Sequence, residues 1–424
     1  MVFTLDLDRP TVSAADIQAA TARLAPYVRH TPTQPSPDLS ALAGVELFLK
    51  LENLQRTGAF KIRGALNMLL TLDPETARRG VLTASAGNHG QGVALAARLL
   101  GYPATVVLPL GVSLAKLEAI ERQGAQTVLA GGNYDEAAEH AHALCTERGM
   151  TYVHAFDCPP VIAGQGTIAP EMLADVPDLD TLVVPVGGGG LLAGVATAAR
   201  ALKPELKIIG VQAAGASAFA DSFKGGERQA QPVGTIADGI AVRMPGAHTF
   251  PIITALVDDI VTIDDDAMAR AMVLLLEREK LLAEAAGAAP LAAALAGLLP
   301  HGCGRVGLLI SGGNVDPNLL DKCVQTGLAS AGRFLAFQTW LPDQPGALHR
   351  LTGVLAEARV NILHVAIQRL GPYTAIGPIG LEMIVETRNA DHAAHVLDVL
   401  HHQGYEAQAV GRPTRDELPN PLSL

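Results

Sequence analysis

The segment Thr57-Gly58-Ala59-Phe60-Lys61-Ile62-Arg63-Gly64-Ala65 sets a lysine beside a glycine-bearing turn, where an apolar-periodic stretch begins. Ile62, Ala65, Leu66 and Leu69 follow at the i, i+3, i+4, i+7 spacing of a buried helix face. Lys61 then lies in a first helical turn. A cation there is disfavoured by the helix macrodipole, and partial burial disfavours it further. Both effects favour the neutral amine that a nucleophilic or Schiff-base lysine requires. An isolated lysine is more often a snorkelling side chain with its head in water, so the other motifs decide the reading.

The run Pro185-Val186-Gly187-Gly188-Gly189-Gly190-Leu191-Leu192 follows an apolar strand pattern and opens a helical one. Glycines let backbone amides approach an anion, and a helix N-terminus adds a favourable field. No Lys-Ser/Thr follows Gly190, so this is not a P-loop. Gly188-x-Gly190-x-x-Ala193 satisfies a loose dinucleotide pattern, but the next strand ends in Gln212-Ala213 without a ribose-binding acid. A cofactor carrying one phosphate is the remaining ligand class. Four consecutive glycines cost chain entropy, with no packing return visible in the sequence. Ser85-Ala86-Gly87-Asn88-His89-Gly90-Gln91-Gly92 also joins a strand to a helix. Ser85, Asn88 and nearby amides suit a carboxylate, whereas His89 alone would more often be structural. Ser311-Gly312-Gly313-Asn314 ends a third strand, on the side where α/β folds place ligands.

The elements that must position these groups alternate. A helix capped by Ser13 is expected over residues 13–27. Strands are expected at Glu46–Leu51, Gly80–Thr83, Ala104–Leu108, Gln126–Leu129, Leu182–Val186, Ile208–Gln212 and Val306–Ile310. Helices are expected at Val93–Leu100, Ser113–Gln123 and Leu191–Leu202. Apolar runs bounded by glycine indicate strands buried on both faces, hence an α/β fold with parallel sheet. This region spans residues 1–324, with a smaller subdomain over about 50–150. Residues 325–333 read as a linker, being small and polar. Beyond it the order changes to strand 334–341, helix 346–358, strands 361–370 and 379–387, helix 391–403 and strand 405–410. That βαββαβ order is ferredoxin-like; the unit spans residues 334–412, and 413–424 form a tail.

Of the 424 residues, 49% are hydrophobic and 17% charged, which allows a large core. The net charge of −11, without a basic block, argues against nucleic acid and anionic membrane as partners. Cys145, Cys158, Cys303 and Cys323 lack ligand spacing and read as structural thiols of a reducing compartment. The apolar stretch 285–300 contains Pro290 and is too short for a membrane span, so a buried helix is expected there. The acidic start lacks the apolar core of a secretory signal. A soluble, cytoplasmic protein is expected.

Together, the motifs around Lys61, Asn88, the four glycines and Ser311 resemble those of fold-type II pyridoxal-phosphate enzymes, most closely the threonine ammonia-lyase (threonine dehydratase) group. The resemblance covers roughly residues 10–322. It implies the tryptophan-synthase-β-like two-subdomain fold and pyridoxal 5'-phosphate as cofactor. By that resemblance Lys61 forms the Schiff base, beside Phe60. Asn88 meets the cofactor's 3-oxygen, Gly187, Gly188, Gly189, Gly190 and Leu191 hold its phosphate, and Ser311 faces its pyridine nitrogen. Ser85, Ala86, Gly87, Asn88 and His89 meet the substrate carboxylate, and Ser85 joins Lys61 in the catalytic set. Residues 237–242 and 282–288 also match, except that Ala285 stands where proline is usual. A monovalent cation near Glu284 is a further implied site.

The implied reaction is deamination of L-threonine, with L-serine as a second substrate, by β-elimination of water to a 2-oxo acid and ammonia. Related serine racemases carry a second serine where this chain has Ala86, which disfavours racemisation here. Serine racemase or serine dehydratase remains the alternative in the same fold. A non-catalytic amino-acid sensor is the alternative outside it. The C-terminal unit resembles an ACT domain, through Pro345, Gly346, Ala347 and Leu348 at a strand-to-helix turn and through Asn361 and Ile362. Such a unit implies an amino acid effector, isoleucine or valine, and a homodimer or homotetramer.

Overall fold

A computed structural model describes residues 11–368 and 378–410 of the chain. The tail over 413–424, the first ten residues and the expected strand end at 369–370 lie outside the described residues. The chain forms two compact units, divided between Cys323 and Val324.

The first unit holds two sheets. The larger has six strands in the order Thr33–Pro35, Glu46–Leu51, Arg305–Ile310, Thr181–Pro185, Lys207–Ala213, Asp259–Ile263, parallel except for the first. Its residues alternate between two cores. Leu47, Leu49, Val183 and Leu308 face the core that contains helix Ala285–Leu295. Phe48, Leu182, Val184 and Leu309 face the core that contains helix Gly190–Leu202. Both faces are dry, which is why these strands read as unbroken apolar runs. The smaller sheet is parallel, in the order Gln126–Leu129, Ala104–Leu108, Val81–Ala84, Thr151–Tyr152.

Local sequence accounts for the helix starts. Ser13 caps helix Ala14–Leu24 in a reciprocal box with Asp16. The helix over the apolar 285 stretch is buried and carries Pro290 inside it. Among the described residues, no helix is long and apolar enough to cross a membrane. All four cysteines are free and buried.

A charged cluster fixes the helix that begins at Lys61. Arg63 is fully buried. It donates from Nε and Nη2 to Glu52 at 2.9 and 2.8 Å, and from Nη1 and Nη2 to Glu171 at 2.7 and 2.8 Å. Nη1 also reaches the Thr167 hydroxyl at 3.1 Å. Lys50, also fully buried, donates to the Thr31 carbonyl and to Glu171. Burial alone would push the Glu52 carboxyl up, yet the Arg63 charge, the hydrogen bonds from Arg63 and Thr31 and the Lys50 charge together outweigh it and hold that carboxyl below its usual range. The cluster ties helix Lys61–Leu70 to the end of strand Glu46–Leu51 and to helix Ile168–Asp175.

The second unit is an antiparallel sheet in the order Asn361–Gln368, Pro378–Glu386, Phe334–Pro342, Gln408–Ala409. Phe337, Leu381, Met383 and Val385 form its core with Leu351 and Leu355 of helix Ala347–Glu357 and Val396 and Leu400 of helix Ala390–His402.

Three expectations are corrected. The helix expected from Val93 starts at Asn88, so its first turns include Gly90 and Gly92 of the Ser85–Gly92 motif. The stretch read as a linker is helical as far as Ser330, within helix Pro317–Ser330. The last strand shortens to Gln408–Ala409.

Candidate active site

Lys61 is the first residue of its helix, behind Phe60, which is 9% exposed. Its Nζ donates to the Ala155 carbonyl at 2.9 Å and lies 5.2 Å from the Phe60 ring centre. Burial lowers its pKa to about 8, while the charge of Glu284 pulls it back upward. Burial is thus the dominant cause of the readily deprotonated amine expected from the sequence. The strand end at Ser311 is laced to the same loop. The Phe60 amide donates to the Ser311 carbonyl at 3.1 Å, and the Gly313 amide to the Gly58 carbonyl at 2.9 Å. Ser311, itself 3% exposed, is thereby fixed beside Phe60 and Lys61.

The glycine loop leads into helix Gly190–Leu202 from strand Thr181–Pro185. Among the described residues, no protein acceptor meets the amides of Gly187, Gly188, Gly189, Gly190 or Leu191. Unpaired amides at a helix N-terminus are what a phosphate requires. The expectation that the glycines have no packing return is corrected. A Cβ on Gly188 would lie 2.4 Å from Phe156 Cδ2, and Gly189 has φ +98° with the Phe219 ring and Thr249 against it. Thr249 donates its hydroxyl to the Gly188 carbonyl at 2.6 Å, and the Gly246 amide donates there at 3.2 Å. The Asp157 carboxylate accepts from the amides of Ala247, His248 and Thr249, which holds that turn in place. The loop is therefore both a set of free amides and a tightly packed turn. Gly188→Ala drives a methyl into the Phe156 ring, so cofactor affinity should fall at least about a hundredfold, the cost of about 3 kcal/mol of displaced ring and loop. Titration of the cofactor-free protein with pyridoxal phosphate checks this; unchanged affinity would refute it.

Asn88 starts helix Asn88–Leu100. Its Nδ2 donates to Glu284 Oε1 at 2.7 Å, and its Oδ1 accepts from Asn314 Nδ2 at 2.7 Å. Burial pushes the Glu284 carboxyl up to about 7, against the Asn88 hydrogen bond, with Asp238 adding to the rise and Lys116 and Lys61 opposing it. The Ser85 hydroxyl accepts from the Gly87 amide at 3.3 Å. Gly87 and Ala86 are partly exposed beside them. His89 differs from its neighbours. Its ring is buried against the Val153 carbonyl at 3.0 Å, and its pKa falls to about 3 through burial and then the Lys61 charge. Nε2 is spent on that carbonyl, and Nδ1 is buried without a hydrogen-bond partner. Near Glu284, and elsewhere among the described residues, no group of three or more His, Cys, Asp or Glu side chains could hold a metal ion.

Sequence reasoning missed Phe156, Ala155, Asn314 and the role of Glu284 as partner of Asn88. The first two lie far from any motif and leave no periodic signal. Asn314 stood in a recognised motif, and only its contacts identify it.

A half-buried lysine of lowered pKa, unpaired amides at a helix start and a carboxamide held by Glu284 and Asn314 suit an enzyme whose cofactor carries a phosphate and an aldehyde. The family model described as "Pyridoxal-phosphate dependent enzyme" matches residues 24–312, and an ACT domain model matches residues 337–401. The chain belongs to the pyridoxal-phosphate-dependent enzymes, with pyridoxal phosphate as cofactor and a C-terminal ACT domain. It is 46% identical over 390 residues to an L-threonine ammonia-lyase of Geobacter sulfurreducens, covering 92% of this chain and 97% of that one. It is 42% identical over 401 residues to an L-threonine ammonia-lyase of Thermotoga maritima, covering 94% and 100%. The structure of maize serine racemase aligns with a TM-score of 0.71 at 37% identity, covering 76% of this chain and 99% of that one.

Proposed function

We propose that this protein is a threonine ammonia-lyase that converts L-threonine to 2-oxobutanoate and ammonia, and L-serine to pyruvate and ammonia. The observation that carries the reading is the joint placement of Lys61, the unpaired amides of Gly187 to Leu191, and Asn88. Similarity to L-threonine ammonia-lyases over more than nine-tenths of the chain supports threonine as substrate.

Bound pyridoxal phosphate supplies an electron sink for the pair of electrons left when the α-proton departs. The glycine-loop amides hold its phosphate, Asn88 its 3-oxygen, and Ser311 presents a hydroxyl to its ring nitrogen. The first-turn amides of Asn88 and His89, with Ser85, hold the substrate carboxylate. Lys61, whose amine burial makes easier to deprotonate, takes the proton from the substrate Cα. The β-hydroxyl leaves as water, which takes up one proton and so balances the one that Lys61 removes from Cα. The released enamine tautomerises and hydrolyses to the 2-oxo acid and ammonia. Ala86 carries no proton to return to the opposite face of Cα. That favours elimination over racemisation, despite the likeness to a serine racemase.

The ACT domain would take an amino acid effector, isoleucine or valine, at the turn Pro345-Gly346-Ala347-Leu348 and at Asn361 and Ile362. Gly346 has φ +87° there, just before helix Ala347–Glu357. A homodimer or homotetramer in the cytoplasm fits this role. The test is a 2-oxo acid assay with L-threonine and L-serine, with and without isoleucine and valine, plus chiral analysis of recovered serine. Release of 2-oxobutanoate with at least a tenfold higher kcat/KM than for serine is expected, with rate changes on adding effector. Substantial D-serine, or no 2-oxo acid, would overturn the reading.

A further inference from the structure

We infer that Asn314 is a positioning residue that fixes which end of the Asn88 carboxamide faces the cofactor. The inference rests on the reading that Asn88 contacts the cofactor's 3-oxygen.

A carboxamide is nearly symmetric in shape, and its two ends have opposite chemistry: the oxygen only accepts and the nitrogen only donates. Its neighbours decide the orientation. Asn88 touches two side chains. Its Nδ2 faces Glu284 Oε1 at 2.7 Å, and its Oδ1 faces Asn314 Nδ2 at 2.7 Å. The contact with Glu284 cannot set the direction alone. An ionised carboxylate accepts, but a protonated one donates, and Glu284 is pushed to about 7. The other contact is unambiguous. Asn314 Nδ2 also donates to the Thr57 carbonyl at 2.6 Å. A backbone carbonyl only accepts, so it pins the Asn314 nitrogen toward Thr57 and Asn88. The second hydrogen on that nitrogen must then meet an acceptor, and the Asn88 oxygen is there.

The direction therefore runs one way, from the Thr57 carbonyl through Asn314 to Asn88. It leaves Asn88 with its two N–H bonds directed away from Asn314. One meets Glu284, and the other is available to an anionic oxygen. If the amide turned over, its oxygen would face that anion and repel it. Packing holds Asn314 in place: a Cβ at Gly58 would come within 2.7 Å of the Asn314 Oδ1, at a residue with φ +69°. Asn314 thus links three parts of the site, namely the turn before Lys61, the strand end at Ser311 and the helix start at Asn88.

The test uses full-length protein carrying pyridoxal phosphate, with Asn314→Asp, Asn314→Ala, Asn88→Ala and the Asn88→Ala/Asn314→Ala pair. The readouts are the pH midpoint of the bound cofactor's visible absorbance band and the affinity of cofactor-free protein for pyridoxal phosphate. Asn314→Asp keeps the shape but cannot donate to Thr57 or Asn88. Loss of one hydrogen bond to a charged oxygen corresponds to about a tenfold effect or more. Either Asn314 variant should therefore move the midpoint by about one pH unit and weaken cofactor affinity about tenfold, with the far-UV circular dichroism unchanged. The double variant should be no worse than Asn88→Ala alone, because Asn314 acts through Asn88. If Asn314→Asp fails to fold, Asn314→Ala carries the test, because it adds no charge. A midpoint that moves in Asn88→Ala but not in the Asn314 variants overturns the inference and spares the reading of Asn88. Full additivity in the double variant does the same. No movement in Asn88→Ala overturns both.

Discussion

Lys61→Ala should abolish turnover, lowering kcat by at least about a thousandfold, while the chain stays folded. The side chain unites two roles: it is the amine that meets the cofactor and the base that takes the α-proton. Losing a positioned base alone is worth about 10²–10⁴. The fold does not depend on it, because the helix it begins is held by the Arg63 cluster and by Ile62, Ala65 and Leu66, all fully buried. The wild-type chain offers a second measurement. In cofactor-free protein the amine must be neutral to attack an aldehyde, and burial places its pKa at about 8. The neutral fraction grows tenfold per unit as pH rises toward 8 and levels off above it. Cofactor capture, followed by stopped-flow absorbance, should show that profile. A rate still climbing tenfold per unit between pH 9 and 10 would mean an ordinary solvated lysine. The stability sign is opposite to that of a paired lysine. The unfolded chain binds the Lys61 proton more tightly than the folded one between pH 8 and the ordinary lysine value of 10.5, so this group's penalty on folding is relieved as pH rises through that window.

The second large effect concerns stability. Arg63→Ala removes two hydrogen bonds from each of two carboxylates, leaving fully buried Glu52 with the Thr31 hydroxyl and Glu171 with Lys50. Breaking one side of a buried ion cluster costs about 3–5 kcal/mol, because Glu52 stays desolvated without its ion-pair partner while Glu171 keeps only Lys50. Scanning calorimetry should show the catalytic unit melting about 6–10 °C lower. Arg63→Lys should recover only part of that loss, since one ammonium cannot fill two forks. The pH dependence distinguishes charge from packing. In the variant the stranded carboxylates take up protons more readily, so the deficit should narrow as pH falls toward 5. A deficit independent of pH would assign the effect to lost packing. An unchanged melting temperature would remove the cluster from the account altogether.

Much of this was legible in the sequence where burial is two-sided. Glu46–Leu51 and Ala104–Leu108 form strands with the bounds that the apolar runs gave. Legibility failed where propensity and context disagree. Asn88-His89-Gly90-Gln91-Gly92 is a poor helix former, yet the turn from Ser85 and the packing of helix Lys61–Leu70 hold it helical. Residues 325–330 are small and polar, but they continue the pattern of Leu319, Leu320 and Cys323 along helix Pro317–Ser330. Within the site, the residue types of the motifs pointed to an amine, an anion cradle and a carboxamide. The contacts that shape the anion cradle come from Phe156, Asp157 and Thr249, which lie remote in sequence and carry no spacing to read.

The four cysteines have one more consequence. Burial raises the thiol pKa of Cys145, Cys158 and Cys323, that of Cys158 to about 11, so almost none of these three is thiolate at neutral pH. Among the described residues the protein's outer surface therefore presents no ready nucleophilic sulfur. A single cysteine placed on an exposed position of either unit would carry a dye or spin label without competition, and would make each unit separately visible while amino acids are added.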